Sequence, residues 1–173
     1  MKLLIFGSGM IVNDFLQGVH ELPFEEVYLC GRNKEKVDEL ASKYPVDKTF
    51  YDVEAALESD ADVTYVGLPN NLHFEYAKKS LEAGKHVIVE KPFMATAEET
   101  QEIFSIANAT GKFAFEASLV FYFPAYLNMV KDLPSLGQIH IADCNFSQYS
   151  SRYDRFLKGD IAPALNIKNC GGA

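Results

Sequence analysis

The sequence has no long apolar run, no CxxC pair and few cysteines, and each of these absences excludes a class of protein. Gly7 interrupts the first apolar segment, residues 3–6, which is therefore far too short for a signal peptide or a membrane span. The three cysteines, Cys30, Cys144 and Cys170, are odd in number. We therefore expect reduced thiols, a cytoplasmic location and no metal site.

Basic residues are also fewer than acidic residues in this chain. Sixteen Lys and Arg stand against 24 Asp and Glu, which gives a net charge of −8, and the sequence contains no basic stripe. Such a chain is a poor candidate for binding nucleic acid or an anionic membrane. Apolar residues make up 48% of the 173 positions, enough for the core of one complete domain and part of a second.

Short apolar segments alternate with amphipathic ones up to residue 117, as is typical of a parallel sheet covered by helices on both faces. The predicted strands cover residues 3–6, 27–30, 49–51, 63–66, 86–89 and 113–117, and the predicted helices cover residues 11–19, 34–43, 53–57, 72–83 and 97–109. Beyond Phe121 the pattern changes to a helix over 124–132 and a long strand over 138–146. We predict an α/β Rossmann domain, doubly wound, over 1–120 and the beginning of an incomplete α+β domain containing a β-sheet over 121–173.

Part of a dinucleotide-binding fingerprint follows the first strand, in the segment Gly7–Ile11. Gly7 permits the tight turn, and Gly9 lets the backbone approach a pyrophosphate at the helix N-terminus. Val12 stands where a third glycine usually serves packing between helix and strand. A purely structural turn is the alternative, but the position in the first strand–helix connection favours a dinucleotide.

The end of the second strand bears on the choice between NAD and NADP. NAD-selective sites normally have Asp or Glu here, which accepts the ribose hydroxyls. This chain has Gly31 and Arg32 instead, with Lys34 behind them. A guanidinium binds a 2′-phosphate through bidentate, charge-assisted hydrogen bonds, which favours NADP. The alternative is a solvated arginine at the start of a helix.

Two further segments follow predicted strands at the edge where ligands bind in such sheets. Pro69 and Asn70 should form a wall on the nicotinamide side, and we interpret His73 as a structural hydrogen-bonding residue rather than a general base. Lys91 follows the fifth strand, where its ammonium can orient a substrate oxygen and stabilise a developing alkoxide. A surface lysine is the alternative for Lys91.

Together these segments resemble the Gfo/Idh/MocA family, the oxidoreductase group of glucose–fructose oxidoreductase and inositol dehydrogenase. The resembling stretches are residues 7–11, 65–73, 83–92 and 171–173. The resemblance implies a Rossmann domain followed by a domain with a large open β-sheet, and hydride transfer between NAD(P) and a sugar, polyol or related alcohol. It also implies that Lys91 is catalytic, that Glu90 contacts the cofactor side and that the Lys91-Pro92 peptide is cis.

The chain departs from this family pattern at two places. Phe121 and Phe123 precede Pro124, where many members have an arginine and often a histidine. The family's Gly-Gly-Ala normally opens a helix with an aspartate and a histidine or tyrosine that complete the catalytic set, whereas this chain ends at Ala173. We therefore expect an N-terminal half that binds the cofactor, forms a homo-oligomer and lacks turnover alone. The alternatives are a non-catalytic dinucleotide-binding or sensor module and a remnant that serves assembly.

These inferences define one predicted site at the carboxyl edge of the sheet. Lys91 is its catalytic residue, and NADP or NAD is its cofactor. The residues expected to contact the cofactor are Gly7, Ser8, Gly9, Met10, Ile11, Gly31, Arg32, Leu68, Pro69, Asn70, His73, Glu90 and Lys91.

Overall fold

A computed structural model describes residues 1–145, 147–150, 152–162 and 165–166. Its six strands form one sheet in the order β3-β2-β1-β4-β5-β6, with every neighbouring pair parallel. The strands are β1 (Lys2–Phe6), β2 (Glu26–Cys30), β3 (Lys48–Phe50), β4 (Val63–Val66), β5 (His86–Val89) and β6 (Ala114–Glu116). The strand order reverses between β1 and β4, which is the doubly wound arrangement of a Rossmann fold. The predicted fold class is thus confirmed for the sheet.

Helices cover both faces of this sheet. Those on one face are α1 (Met10–Gly18) and α2 (Lys34–Lys43), and those on the other are α3 (Val53–Leu57), α4 (His73–Glu82) and α5 (Ala97–Thr110). Two further helices, α6 (Pro124–Asp132) and α7 (Tyr153–Leu157), bury no residue. The central strand β1 explains the two layers, because Leu3 and Ile5 pack into one core and Leu4 and Phe6 into the other. All four side chains are almost inaccessible to solvent, and an uninterrupted apolar strand of this kind is what a sheet covered on both faces requires.

Polar side chains and glycines fix where several helices begin and end. Asn33, Asp52 and Thr96 each accept a hydrogen bond from a backbone N–H in the first turn of α2, α3 and α5. Gly84 and Gly111 follow α4 and α5 with φ of +74° and +66°, a left-handed conformation that ends a helix at little cost. These boundaries keep the connections short, and the carboxyl ends of the strands lie at one edge because the strands are parallel.

The strand predicted over residues 138–146 is wrong in its described part. Residues 138–145 form no strand, and Ile139 and Ile141 are exposed. A strand is stable only when its backbone pairs with a neighbour, and no described residue pairs with this segment. The described residues after position 120 instead contribute α6 and α7, and α7 was not predicted.

The domain limits 1–120 and 121–173 remain predictions. No helix in the described ranges is long and apolar enough to cross a bilayer.

Candidate functional site

A cavity of about 900 Å³ opens beside the carboxyl ends of β1, β2, β4 and β5. Ligand sites usually have volumes of roughly 300–1,000 Å³, so this one is large enough for a dinucleotide. Every residue of the predicted site except His73 lines it. The other lining residues are Phe6, Cys30, Asn33, Lys36, Tyr51, Val53, Gly67, Tyr76, Arg152 and Ala162. Residues that are distant in the sequence therefore meet at the predicted edge.

The turn after β1 is packed against the end of β4. Gly7 has φ of +124°, and a Cβ placed on it would lie 2.5 Å from the carbonyl oxygen of Gly67. A Cβ on Gly67 would in turn lie 2.6 Å from Cγ2 of Val12. The buried Val12 side chain thus fills the place where the fingerprint has its third glycine, and Gly67 provides the room for it. Sequence reasoning missed Gly67, although a glycine directly after a predicted strand was a signal.

The start of α1 is open towards the cavity. Gly9 is its N-cap, with φ of −88° and no side-chain cap, and a Cβ on Gly9 would meet nothing within 4 Å. The first turn of α1 contains no acidic residue. Uncapped N–H groups at a helix N-terminus bind anions, so this turn fits the diphosphate of a dinucleotide.

Cations surround the end of β2. Arg32 and Lys36 both line the cavity. Asn33 between them caps α2, because its Oδ1 accepts a hydrogen bond from the Lys36 backbone N–H at 2.9 Å. Burial raises the pKa of Tyr76 in the cavity wall, and the charge of Arg32 partly offsets that rise. Lys34 does not line the cavity, and its Nζ lies 5.2 Å from the ring centroid of Tyr51. Lys36 was missed, although it lies one helical turn beyond Arg32.

Both carboxylate oxygens of Glu90 are engaged within the protein. Oε1 accepts a hydrogen bond from the Tyr65 hydroxyl at 2.7 Å, and Oε2 accepts one from the Lys91 backbone N–H at 3.2 Å. Burial, and then the Glu90 carboxylate, raises the pKa of Tyr65, so its hydroxyl remains a donor. The Tyr65 ring also stacks on Phe15 at a centroid distance of 4.3 Å. Tyr65 therefore holds Glu90 in place. The sequence could have indicated this role, because the hydroxyl of a tyrosine in a buried strand needs a hydrogen-bond partner.

The loop with Lys91 is anchored to the neighbouring strand β6. The Lys91-Pro92 peptide is cis, as predicted. The Phe93 N–H donates a hydrogen bond to Glu116 Oε1 at 3.0 Å, which ties the loop to β6. Lys91 itself is exposed at the cavity and forms no ion pair with any described residue. Its ammonium is therefore available to a ligand.

His73 lies behind the cavity wall and is 1% exposed. Its Nδ1 is 2.8 Å from the carbonyl oxygen of Pro92, and its Nε2 is 2.9 Å from that of Leu68. The imidazole thus joins the loops that follow β4 and β5. This agrees with the structural interpretation of His73, while a direct contact with the cofactor remains a prediction.

The described cysteines offer no nucleophile at this site. Cys30 is buried in the wall, where burial and then the Asp52 carboxylate raise the pKa of its thiol to about 12. The exposed Cys144 is also a free thiol, and Cys170 lies outside the described residues. The segment 171–173, which contributed to the family resemblance, lies outside them as well.

The strand order, the glycine turn and the cavity at the switch point define a dinucleotide-binding α/β protein. Residues 1–118 match the family model described as "Oxidoreductase family, NAD-binding Rossmann fold". The chain belongs to this family, Gfo/Idh/MocA, as the sequence motifs indicated. Its cofactor class is therefore a nicotinamide dinucleotide, NAD or NADP.

Individual relatives agree with this assignment. The chain is 31% identical over 175 residues to scyllo-inositol 2-dehydrogenase (NADP(+)) of Bacillus subtilis, covering 100% of this chain and 53% of that protein. It is 30% identical to trans-1,2-dihydrobenzene-1,2-diol dehydrogenase of Sus scrofa, covering 83% and 45% of the two chains. The crystal structure of a 3-ketoreductase from Actinomadura kijaniata with NADP superposes with a TM-score of 0.73 at 25% identity, over 78% of this chain and 44% of that one. The chain thus spans about half the length of the curated relatives it matches.

Proposed function

We propose that the protein is an NADP-dependent dehydrogenase that transfers a hydride between the nicotinamide and a sugar, a polyol or a related alcohol. The observation that carries this proposal is the meeting of the Gly7–Ile11 turn, Arg32 and Lys91 in one cavity. The names of the relatives support the substrate class, because one acts on an inositol and another on a dihydrodiol.

Three parts of the cavity would hold the cofactor. The uncapped first turn of α1 would bind the diphosphate, because Gly9 leaves the backbone accessible. Arg32 and Lys36 would bind the 2′-phosphate. Leu68, Pro69 and Asn70 would lie beside the nicotinamide, on the loop after β4. The bound nicotinamide supplies or accepts the hydride.

Lys91 would act on the oxygen of the substrate. In the oxidation of an alcohol, the hydroxyl proton would pass to solvent and the hydride would pass from the carbon to the nicotinamide. Negative charge develops on the oxygen as the proton leaves, and the ammonium of Lys91 would stabilise it. In the reverse direction the same ammonium polarises the carbonyl and holds the proton that the oxygen receives. Glu90 would have a supporting role, because its two oxygens already accept hydrogen bonds from the Tyr65 hydroxyl and the Lys91 backbone N–H.

We expect NADPH to bind more tightly than NADH, because Arg32 replaces the acidic residue of NAD-selective sites. A charge-assisted hydrogen bond to phosphate contributes about 1.5–3 kcal/mol, or roughly ten- to a hundredfold in Kd. Fluorescence titrations at fixed salt should show this difference and its loss in Arg32→Ala. Lys34→Ala is the matched control, since Lys34 lies outside the cavity wall, and it should retain the preference. Equal affinities in the unchanged chain would refute NADP selectivity, and no binding of either nucleotide would refute the proposed function.

We also propose that the chain acts in the cytoplasm and associates with a second copy of itself. The described cysteines, Cys30 and Cys144, are both free thiols, as in a reducing compartment. β6 is an edge strand of the described sheet; Phe115 within it is 56% exposed, and Phe113, which precedes it, is 63% exposed. Such an edge favours association between chains. Analytical ultracentrifugation should show a dimer that Phe113→Lys dissociates, and a monomer at all concentrations would contradict the proposal.

A further inference from the structure

One segment beyond the sheet folds against the cavity. Within residues 152–162, which we call the strap, Arg152 and Ala162 line the cavity, and α7 lies between them. Ala162 is only 8% exposed. The strap is held as a unit, because Arg155 binds Asp160 through both its side chain, at 2.7 Å, and its carbonyl oxygen, at 3.0 Å. Its first residue is therefore placed at the cavity by the fold of the strap.

Arg152 differs from the other charged residues of the strap because it lines the cavity and has no ion pair with a described residue. Lys158 is also unpaired among the described residues, but it does not line the cavity. Arg155 is paired with Asp160, and Asp154 accepts a hydrogen bond from the Tyr149 hydroxyl at 2.7 Å. The guanidinium of Arg152 forms no ion pair with a described residue. A ligand can therefore bind it without breaking an existing pair.

The cavity carries an excess of positive charge in a chain whose net charge is −8. Its cationic residues are Arg32, Lys36, Lys91 and Arg152, and its carboxylate is Glu90, which is already hydrogen bonded on both oxygens. Such a concentration of cations in a cleft attracts a polyanion. NADPH fits this charge, because it has two phosphate charges on its diphosphate and about two more on its 2′-phosphate.

The position of these cations indicates which phosphate lacks a cationic side chain. Arg32 and Lys36 lie at the end of β2, where the 2′-phosphate would bind, and Lys91 lies at the nicotinamide end. The turn Gly7–Ile11, where the diphosphate would bind, has no cationic side chain. We propose that Arg152 supplies that cation and closes over the dinucleotide by binding its diphosphate. This inference rests on the proposed function, and it adds a cofactor-binding residue from outside the matched residues 1–118.

The test is a calorimetric titration of the 173-residue chain with NADPH, NADH and ADP. Arg152→Met should weaken the binding of all three ligands by about tenfold, since each has a diphosphate. Arg152→Lys should retain part of the affinity. Lys158→Met is the matched control, because it removes one cation from the same strap without touching the cavity or the pair between Arg155 and Asp160. It should leave all three Kd values within twofold.

Each other outcome separates this inference from the proposed function. Unchanged Kd values in Arg152→Met would overturn the role of Arg152 and leave the proposed function intact. A loss confined to NADPH would show that Arg152 contacts the 2′-phosphate, which overturns the diphosphate assignment. If the unchanged chain binds none of the three ligands, the proposed function itself is overturned. An equal melting temperature in Arg152→Met and the unchanged chain confirms that the variant is folded.

Discussion

Gly7→Ala is expected to abolish dinucleotide binding and to lower the stability of the whole chain. The residue has φ of +124°, which an alanine adopts only with strain, and its Cβ would lie 2.5 Å from the carbonyl oxygen of Gly67. Strain and overpacking of this kind together cost about 3 kcal/mol or more. A thermal melt should show a decrease in Tm of roughly 10 °C in a chain of this size. Titration with NADPH should detect no binding.

Substitutions at two further glycines distinguish an effect on cofactor binding from an effect on folding. Gly9 has an ordinary φ of −88°, and a Cβ on it would meet nothing within 4 Å, so Gly9→Ala should fold normally. Its methyl group would face the diphosphate, and a steric cost of about 1–3 kcal/mol corresponds to roughly tenfold or more in Kd. Gly18→Ala, at the far end of α1 and also in open space, should change neither property. Normal NADPH binding by Gly9→Ala would contradict the assignment of this turn to the diphosphate.

The parts of the fold that depend on local patterns could be predicted from the sequence. Each strand of the sheet lies within one residue of its predicted limits. The inner strands β1, β2, β4 and β5 are mainly apolar because they are covered on both faces, and glycines or polar caps bound many of the elements. The glycine turn and Lys91 could be placed at one edge for a related reason: in parallel sheets the carboxyl ends of the strands lie together.

The supporting contacts could not be predicted, because they join residues far apart in the sequence. Tyr65 and Glu90 are separated by 25 positions, and His73 and Pro92 by 19. No periodicity or spacing signals such a pair before the fold is known. The same limit explains why Arg152 was not among the candidates: it reaches the cavity only through the fold of the strap.

The wrong strand over residues 138–146 has a different cause. Alternation of apolar and polar residues shows that a segment could form one face of a sheet, but pairing requires a neighbouring strand. Ile139 and Ile141 have the alternating pattern and are nevertheless exposed, since none of the described residues provides that neighbour. An alternating pattern therefore predicts a strand only where a neighbouring strand is present to pair with it.

The titratable side chains near the nicotinamide end of the cavity limit the chemistry that the described residues can perform. Glu90 is hydrogen bonded on both oxygens, and His73 has a backbone carbonyl oxygen at each ring nitrogen. Among the described residues that line this end of the cavity, Lys91 is therefore the titratable group available to a substrate. An ammonium alone neither fixes the position of a hydroxyl-bearing carbon against the nicotinamide nor encloses it from water. Both contributions are large in enzyme catalysis.

The 173-residue chain is therefore expected to bind NADPH but to show no measurable multiple-turnover oxidation of a sugar or polyol with NADP⁺. General acid–base catalysis supplies typically about 10²–10⁴-fold, and one unsupported ammonium cannot provide it without a positioned substrate. The absorbance of NADPH, followed with scyllo-inositol and with sugars, should rise no faster than in Lys91→Met. This variant is the matched control, because it removes the ammonium of an exposed side chain and leaves the hydrogen bond from the Lys91 backbone to Glu90 in place. Sustained polyol oxidation that Lys91→Met abolishes would show that the 173-residue chain already contains a complete active site.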